Sequence, residues 1–188
     1  MGGAVPGVAL LVRAANGGLG ANPIAEGLNA CGELAIKILL LSLACTPTRI
    51  VFGTTWPMRA RKHLGLLAFT YAFAHLGVYV GLDRAGELDT FLTDLTERPF
   101  IIVGMAAFLT LVPLALTSTK GAVKRLGARD WNRLHKLVYL AAILAAVHFV
   151  MRAKQDITEA ALHAAVLAVL LGVRVWDFVR RARSRRTS

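Results

Sequence analysis

The sequence predicts an all-α integral membrane protein, a bundle of five or six transmembrane helices. Its mean hydropathy is +0.57 and 56% of its residues are hydrophobic, a composition that favours a membrane over water as the main solvent. Residues 64–82 and 99–119 contain no Asp, Glu, Lys or Arg, and a helix of roughly 20 apolar residues crosses a bilayer. The formal net charge is +11, but Lys and Arg lie in short clusters between apolar stretches. Because these clusters do not form the basic surface of a soluble nucleic-acid-binding domain, we expect no nucleic-acid partner.

The hydrophobic segments follow one another along the whole chain. The first, residues 1–15, is too short to span a bilayer and lacks the charged start of a signal peptide, so we interpret it as a partial first helix that looks truncated. Glu33 and Lys37 interrupt the second segment, and Lys136 interrupts the fifth. No linker separates the segments, which predicts a single transmembrane domain over residues 1–188. The five longer predicted spans are residues 28–46, 64–82, 99–119, 134–151 and 157–176.

The loops between these segments predict the orientation of the chain in a bacterial inner membrane, because Lys and Arg concentrate on the cytoplasmic side. Residues 16–27 and 83–98 are acidic or neutral and rich in turn residues, so we expect them on the opposite face. The C-terminus is therefore predicted to be cytoplasmic. The basic clusters are Arg49, Arg59, Arg61 and Lys62; Lys120, Lys124, Arg125, Arg129 and Arg133; and Arg180, Arg181, Arg183, Arg185 and Arg186.

Two histidines are predicted at a similar depth in different helices. His75 lies about 18 Å along its helix from His63, and His148 lies about 20 Å from His135, at 1.5 Å per residue. Ionisable side chains within a span are costly and usually functional. Two imidazoles that face each other across a bundle are typical axial ligands of haem iron, whereas zinc requires three or four clustered ligands. We expect the porphyrin to lie against small residues: Ala72, Gly77, Ala145 and Ala146.

The remaining histidines are less clearly assigned. His135 and His63 lie at the inner boundary, where a second haem or a flavin is one interpretation and an interfacial role beside basic residues is the other. His135 and His148 point about 140° apart on an ideal helix, so one straight helix does not present both to the same neighbour. His163 lies among Ala and Leu, and packing is the favoured interpretation.

Lys37 needs an anionic partner within the bilayer. Glu33, one turn earlier, is the nearest candidate, and a haem propionate is the alternative. Arg152 and Lys154 follow His148 and are candidates for the same role, or they simply anchor the helix end.

Several motifs together resemble one family of membrane proteins over nearly the whole chain. They are NGGLGANP, RKHLGLLAFTYAFAHLGVY around His75, RPFIIVG, LTSTKGAVKRLG, and WNRLHKLVYLAAILAAVHFV around His135 and His148. In order and spacing they are similar to the MsrQ (YedZ) family, the haem-binding membrane subunits of periplasmic methionine sulfoxide reductase systems. That family belongs with the ferric-reductase-like transmembrane domains. Asn29 departs from the pattern, since related sequences often carry a histidine there.

The resemblance implies a function for the chain. Family members bind b-type haem and reportedly FMN. They take electrons from the quinone pool or a cytoplasmic flavin reductase and pass them to MsrP, a periplasmic molybdenum-cofactor enzyme that reduces methionine sulfoxide in oxidised proteins. By motif, the haem-associated histidines correspond to His75, His135 and His148, which would make them ligands of the haem iron. The sulfoxide chemistry would then belong to the partner.

Two other functions remain open from the sequence. A ferric or quinone reductase would use the same helices with a different acceptor, and a transporter would use His75 and Lys37 in a proton or solute path. For the electron-transfer function, we expect the acceptor to dock on the loop of residues 83–98 and the turn of residues 152–156. Acidic residues of the loop would orient it: Asp83, Glu87, Asp89, Asp94 and Glu97.

Overall fold

The described part of the chain is entirely helical. The computed structural model describes residues 21–153 and 156–184, together with positions 12 and 18, and no strand occurs among them. The predicted all-α bundle is therefore confirmed, while the partial helix predicted at 1–15 lies outside the described residues except for Val12. The helices are α1 (Pro23–Phe52), α2 (Pro57–Val78) with a π-helical turn (Tyr79–Asp83), α3 (Leu88–Glu97), α4 (Pro99–Leu116), α5 (Lys120–Leu134), α6 (Leu137–Arg152) and α7 (Thr158–Ser184).

Length and composition allow four of the described helices to cross a membrane: α1, α2 with its π-helical turn, α4 and α7. A fifth span results if α5 and α6, which meet at a bend of 44°, act as one broken span. Each overlaps a segment predicted above. Two stretches predicted as loops are instead helical, because α3 lies within residues 83–98 and α5 carries the second basic cluster.

Local sequence signals set the ends of α1. Asn22 precedes the helix and its side-chain oxygen accepts a hydrogen bond of 3.1 Å from the Ala25 amide, while Pro23 occupies the first turn, where a missing N–H costs nothing. At the other end Gly53 has φ +69° and its amide donates to the Arg49 carbonyl at 3.0 Å. Glycine adopts this left-handed conformation without steric cost, so the helix ends there.

A proline inside α1 creates a contact with α7. Pro47 has no N–H, so the carbonyl of Leu43, one turn earlier, lacks its helical donor. Arg174 of α7 donates to that carbonyl at 2.6 Å and also to the Tyr139 hydroxyl of α6. The Arg174 guanidinium lies 4.9 Å from the Tyr139 ring centroid. One arginine thus joins three helices within the apolar bundle.

The helices pack mainly as two pairs. Helix α1 packs along α2, α4 packs along α6, and α7 lies across α1 and α6. Small residues allow close approach of the helices, as Ala68, Ala141 and Ala142 are at most 2% exposed. The buried core, which includes Leu39 and Leu111, lies between two cavities at opposite ends of the bundle. We call the end with His75 and His148 the histidine end, and the end with Arg61 and Lys62 the basic end.

Candidate haem site

A cavity of about 310 Å³ lies among α1, α2, α4 and α6 at the histidine end, with α3 beside its rim. Its walls are mainly apolar and include many small side chains. Ala72 and Ala145 line it as predicted, but Gly77 and Ala146 are not among its lining residues. Gly77 has open space where a Cβ would be, and Ala146 is buried in the core.

His75 and His148 face each other across this cavity. Their ring centroids are 6.3 Å apart, with an interplanar angle of 82°. His75 Nδ1 is 2.8 Å from the Leu28 carbonyl, and His148 Nδ1 is 2.6 Å from the Phe100 carbonyl. A carbonyl oxygen only accepts, so each Nδ1 carries the proton and donates. Each Nε2 is therefore left with a lone pair, which is the form that binds a metal.

The two histidines are held in the same way by different helix pairs. The imidazole of His75 rests on Gly32 of α1, and the carbonyl it contacts belongs to Leu28, one turn before that glycine. The imidazole of His148 rests on Gly104 of α4, and its carbonyl belongs to Phe100, again one turn earlier. A Cβ at Gly32 would lie 2.9 Å from His75 Nδ1, and one at Gly104 would lie 2.6 Å from His148 Nδ1. Glycine is thus required for each imidazole to reach its carbonyl.

The two imidazoles of His75 and His148 would suit an iron ion that is already bound by a macrocycle. Two imidazoles bound to one metal from opposite sides have centroids roughly 6 Å apart, because each metal–nitrogen bond is about 2 Å and a ring nitrogen is about 1 Å from its centroid. The observed 6.3 Å agrees with that arrangement. No group of three or more His, Cys, Asp or Glu within the described ranges is placed to hold a metal ion. Two facing imidazoles in an apolar cavity would suit haem, whose macrocycle would supply the other ligands of the iron.

Charged groups gather at the rim of the cavity. Asp94 of α3 is only 5% exposed and accepts from Tyr79 at 2.5 Å, from Arg84 Nε at 2.7 Å and from Arg98 Nε at 2.8 Å. The pKa of Arg84 is raised, chiefly by its hydrogen bond to the Tyr79 hydroxyl. These contacts attach α3 to the π-helical turn and to the start of α4. The prediction that Asp94 helps to dock a partner is wrong, because this carboxylate is buried and already paired.

Arg152 also lines the cavity. Its Nη1 donates to the Asn29 side-chain oxygen at 2.7 Å, and its guanidinium lies 5.4 Å from the Phe149 ring centroid. Asn29, the position that departs from the family pattern, thus joins α1 to the end of α6. Lys154, the other cation proposed there, lies outside the described residues.

Lys37 forms an ion pair with Glu33, as predicted for residues one turn apart. The Lys37 side chain is 50% exposed, and Glu33, but not Lys37, lines the cavity.

The other histidines lie away from the facing pair. His135 stacks on Trp131 with ring centroids 3.8 Å apart, and its Nε2 is 3.1 Å from the Thr117 hydroxyl oxygen. It lines a second cavity at the basic end. His163 is buried, donates from Nδ1 to the Glu159 carbonyl at 2.6 Å and meets the Phe149 ring edge-on, which are packing contacts. His63 is exposed on α2.

Comparison with known proteins gives a consistent result. Residues 31–146 match the family model described as ferric reductase like transmembrane component. The chain is 47% identical over 174 residues to the protein-methionine-sulfoxide reductase heme-binding subunit MsrQ of Rhodospirillum rubrum. The aligned residues cover 93% of this chain and 84% of that protein. It is 51% identical over 171 residues to the Deinococcus radiodurans subunit of the same name, covering 90% and 84%. For the Xanthomonas euvesicatoria subunit the identity is 46% over 172 residues, covering 90% and 78%.

Proposed function

This chain belongs to the ferric-reductase-like transmembrane family and, within it, to the MsrQ subunits, and from that premise we propose that it binds b-type haem and conducts electrons across a membrane. The observation that carries the proposal is the pair of facing imidazoles, His75 and His148, with ring centroids 6.3 Å apart and both Nε2 atoms available. The haem would supply one-electron chemistry that no side chain of the protein provides.

The residues around the haem have separate tasks. The Leu28 and Phe100 carbonyls hold the two imidazoles in one tautomer and make each Nε2 a stronger ligand. The apolar wall keeps water from the iron ligands, which influences the reduction potential. Arg84, Arg98 and Arg152 line the cavity rim and would offset the charge of the haem propionates. We assign Lys37 a supporting role in this charge balance, because it forms an ion pair with Glu33, which lines the cavity.

We further propose the direction of electron flow. Basic clusters at one end favour a cytoplasmic position for that end and for the C-terminus, in a bacterial inner membrane. Electrons would enter there from the quinone pool or a cytoplasmic flavin reductase. They would leave at the histidine end to a periplasmic molybdoenzyme like MsrP, which repairs oxidised methionine. FMN would be a second cofactor, and His135 would act in cofactor binding at the basic end.

The test is a reduced-minus-oxidised absorption spectrum with haem quantified per polypeptide. We expect His75→Ala and His148→Ala each to lose nearly all b-type haem, because a methyl group replaces an axial ligand. His63→Ala, which removes an exposed histidine from the helix that carries His75, is the matched control and should retain haem. Full haem content and an unchanged spectrum in both cavity variants would refute the assignment.

A further inference from the structure

Helix α5 is a surface helix that does not pack along any other helix of the described chain. Each of the remaining helices packs against a neighbour. Residues 123–130 are all exposed, whereas Trp131 and Leu134 in the last turn of α5 are half-buried. Most of the surface of α5 is therefore available to a partner outside the chain.

Contacts at both ends hold α5 beside the end of α4. The Thr119 side chain begins α5 by accepting a hydrogen bond of 3.1 Å from the Ala122 amide, and Trp131 Nε1 donates to the Thr117 carbonyl at 2.9 Å. Helix α4 has 18 residues, which is about 27 Å at 1.5 Å per residue and close to the ~30 Å thickness of the hydrocarbon core. If α4 crosses the membrane, its end and the attached α5 lie at the membrane boundary.

The first part of α5 has an apolar face with cations beside it. Val123 and Leu126 are exposed and three residues apart, so they lie on one face. On an ideal helix Lys124 and Arg125 each lie about 130° from the centre of this pair, one on either side. Gly127, with φ +75°, ends this regular part. Such an arrangement is typical of helices that lie in the plane of a membrane interface.

The charge of α5 is almost wholly positive. Its only acidic residue, Asp130, pairs with Arg133 at 3.2 Å. The other cations of α5 are exposed and form no ion pair with any described residue: Lys120, Lys124, Arg125 and Arg129. Cations at a membrane surface attract anionic lipid headgroups. An acidic protein would also pair with these cations, but a lipid surface accounts for the exposed apolar pair as well.

We propose that residues 120–130 are a docking surface for anionic phospholipids of the membrane that holds the chain. Val123 and Leu126 enter the interface, and the four unpaired cations bind the phosphate groups of the lipids. This surface is separate from the haem site and does not depend on it.

Amide hydrogen exchange of the full chain tests the proposal, in nanodiscs of phosphatidylcholine with or without phosphatidylglycerol. Residues 120–130 should exchange severalfold more slowly with phosphatidylglycerol, because a docked helix opens less often, and high salt should reduce the difference. Helix α3, the surface helix beside the histidine end, carries acidic residues and should exchange equally in both discs. If inorganic phosphate protects residues 120–130 as well as phosphatidylglycerol does, α5 binds a free anion and the lipid proposal is wrong.

Paired charge variants identify the surface. Each cation near an anionic membrane strengthens binding about fivefold, so Lys124→Gln with Arg125→Gln should remove most of the protection by phosphatidylglycerol. The matched control, Arg49→Gln with Arg59→Gln, removes two exposed cations outside α5 and should keep that protection. Unchanged exchange of α4 shows that each variant is folded. Equal exchange of residues 120–130 in the two lipids, as expected for a helix that instead binds an acidic protein, or equal loss in both variants, overturns the proposal.

Discussion

The two cavities of this protein differ in how their histidines are held. In the first, His75 and His148 each rest on a glycine and donate from Nδ1 to a carbonyl one turn before it, so each Nε2 keeps its lone pair. In the second, His135 stacks on Trp131 and its Nε2 is near a hydroxyl. The same residue type thus has a different available nitrogen in each cavity, because its partner is a backbone carbonyl in the first and a side-chain hydroxyl in the second.

Among variants that leave both histidines in place, substitution of the glycines should have the largest effect on haem retention. Gly104→Ala and Gly32→Ala place a Cβ 2.6 Å and 2.9 Å from the respective Nδ1 atoms, so each imidazole must move. Overpacking of this kind costs about 1–3 kcal/mol, which predicts about tenfold weaker haem retention or more. Haem per polypeptide after purification measures the loss.

Gly77→Ala is the matched control, since it adds a methyl group to open space on the helix that carries His75. Normal haem content in Gly104→Ala would show that the glycine is not needed to seat His148.

The next effect concerns the ionic cluster of Asp94, Arg84 and Arg98 at the rim of the first cavity. Asp94→Asn leaves Arg84 and Arg98 without their shared carboxylate, which is buried. Because Arg84 and Arg98 are partly exposed, loss of their shared charged partner should cost only about 1–2 kcal/mol. We expect a lower midpoint for thermal unfolding and faster haem loss. Asp89→Asn, on the exposed face of α3, should behave like the parent, and equal stability of the two variants would contradict the role of the cluster.

His135→Ala tests whether the histidine of the second cavity contributes to haem binding. Because His135 lines only the second cavity, the variant should keep most of its haem, whereas His75→Ala should lose nearly all of it. Haem per polypeptide is measured by absorption on parallel preparations of the two variants. Loss of haem as complete as in His75→Ala would instead make His135 an iron ligand.

The smallest expected effect is on partner docking at the exposed surface of α3, close to the first cavity. Glu87, Asp89 and Glu97 are exposed on or beside α3. If they orient the proposed partner enzyme, reversing all three to Lys should slow electron transfer to it severalfold at low salt, with less effect at high salt and with haem content unchanged.

Asp130→Lys, at the opposite end of the bundle, is the control for a single charge reversal and is compared with Asp89→Lys alone, because each changes the net charge by the same amount. Transfer rates that match this control at every ionic strength would exclude the α3 surface as the docking site.

The structure corrects the sequence-based prediction where contacts join distant parts of the chain. Hydropathy gave the approximate positions of the helices, and counting residues from the basic ends gave His75 and His148 a common depth. Gly32 and Gly104 were missed, although both lie in apolar segments beside the predicted site. The rotation of a helix about its own axis decides whether a glycine meets an imidazole, and hydropathy contains little information on that rotation.

The sequence by itself determined the class of the protein, its apolar segments and its histidine pair, because solvation and helical rise are properties of a single segment. Only the tertiary structure decided that His148 faces His75 while His135 lines another cavity, that Asp94 is buried between two arginines, and that Arg174 reaches the carbonyl freed by Pro47. The His75–His148 and Arg174–Leu43 contacts join helices far apart in sequence, while Asp94 joins segments that are neighbours along the chain. They depend on how whole helices pack, which no single segment encodes.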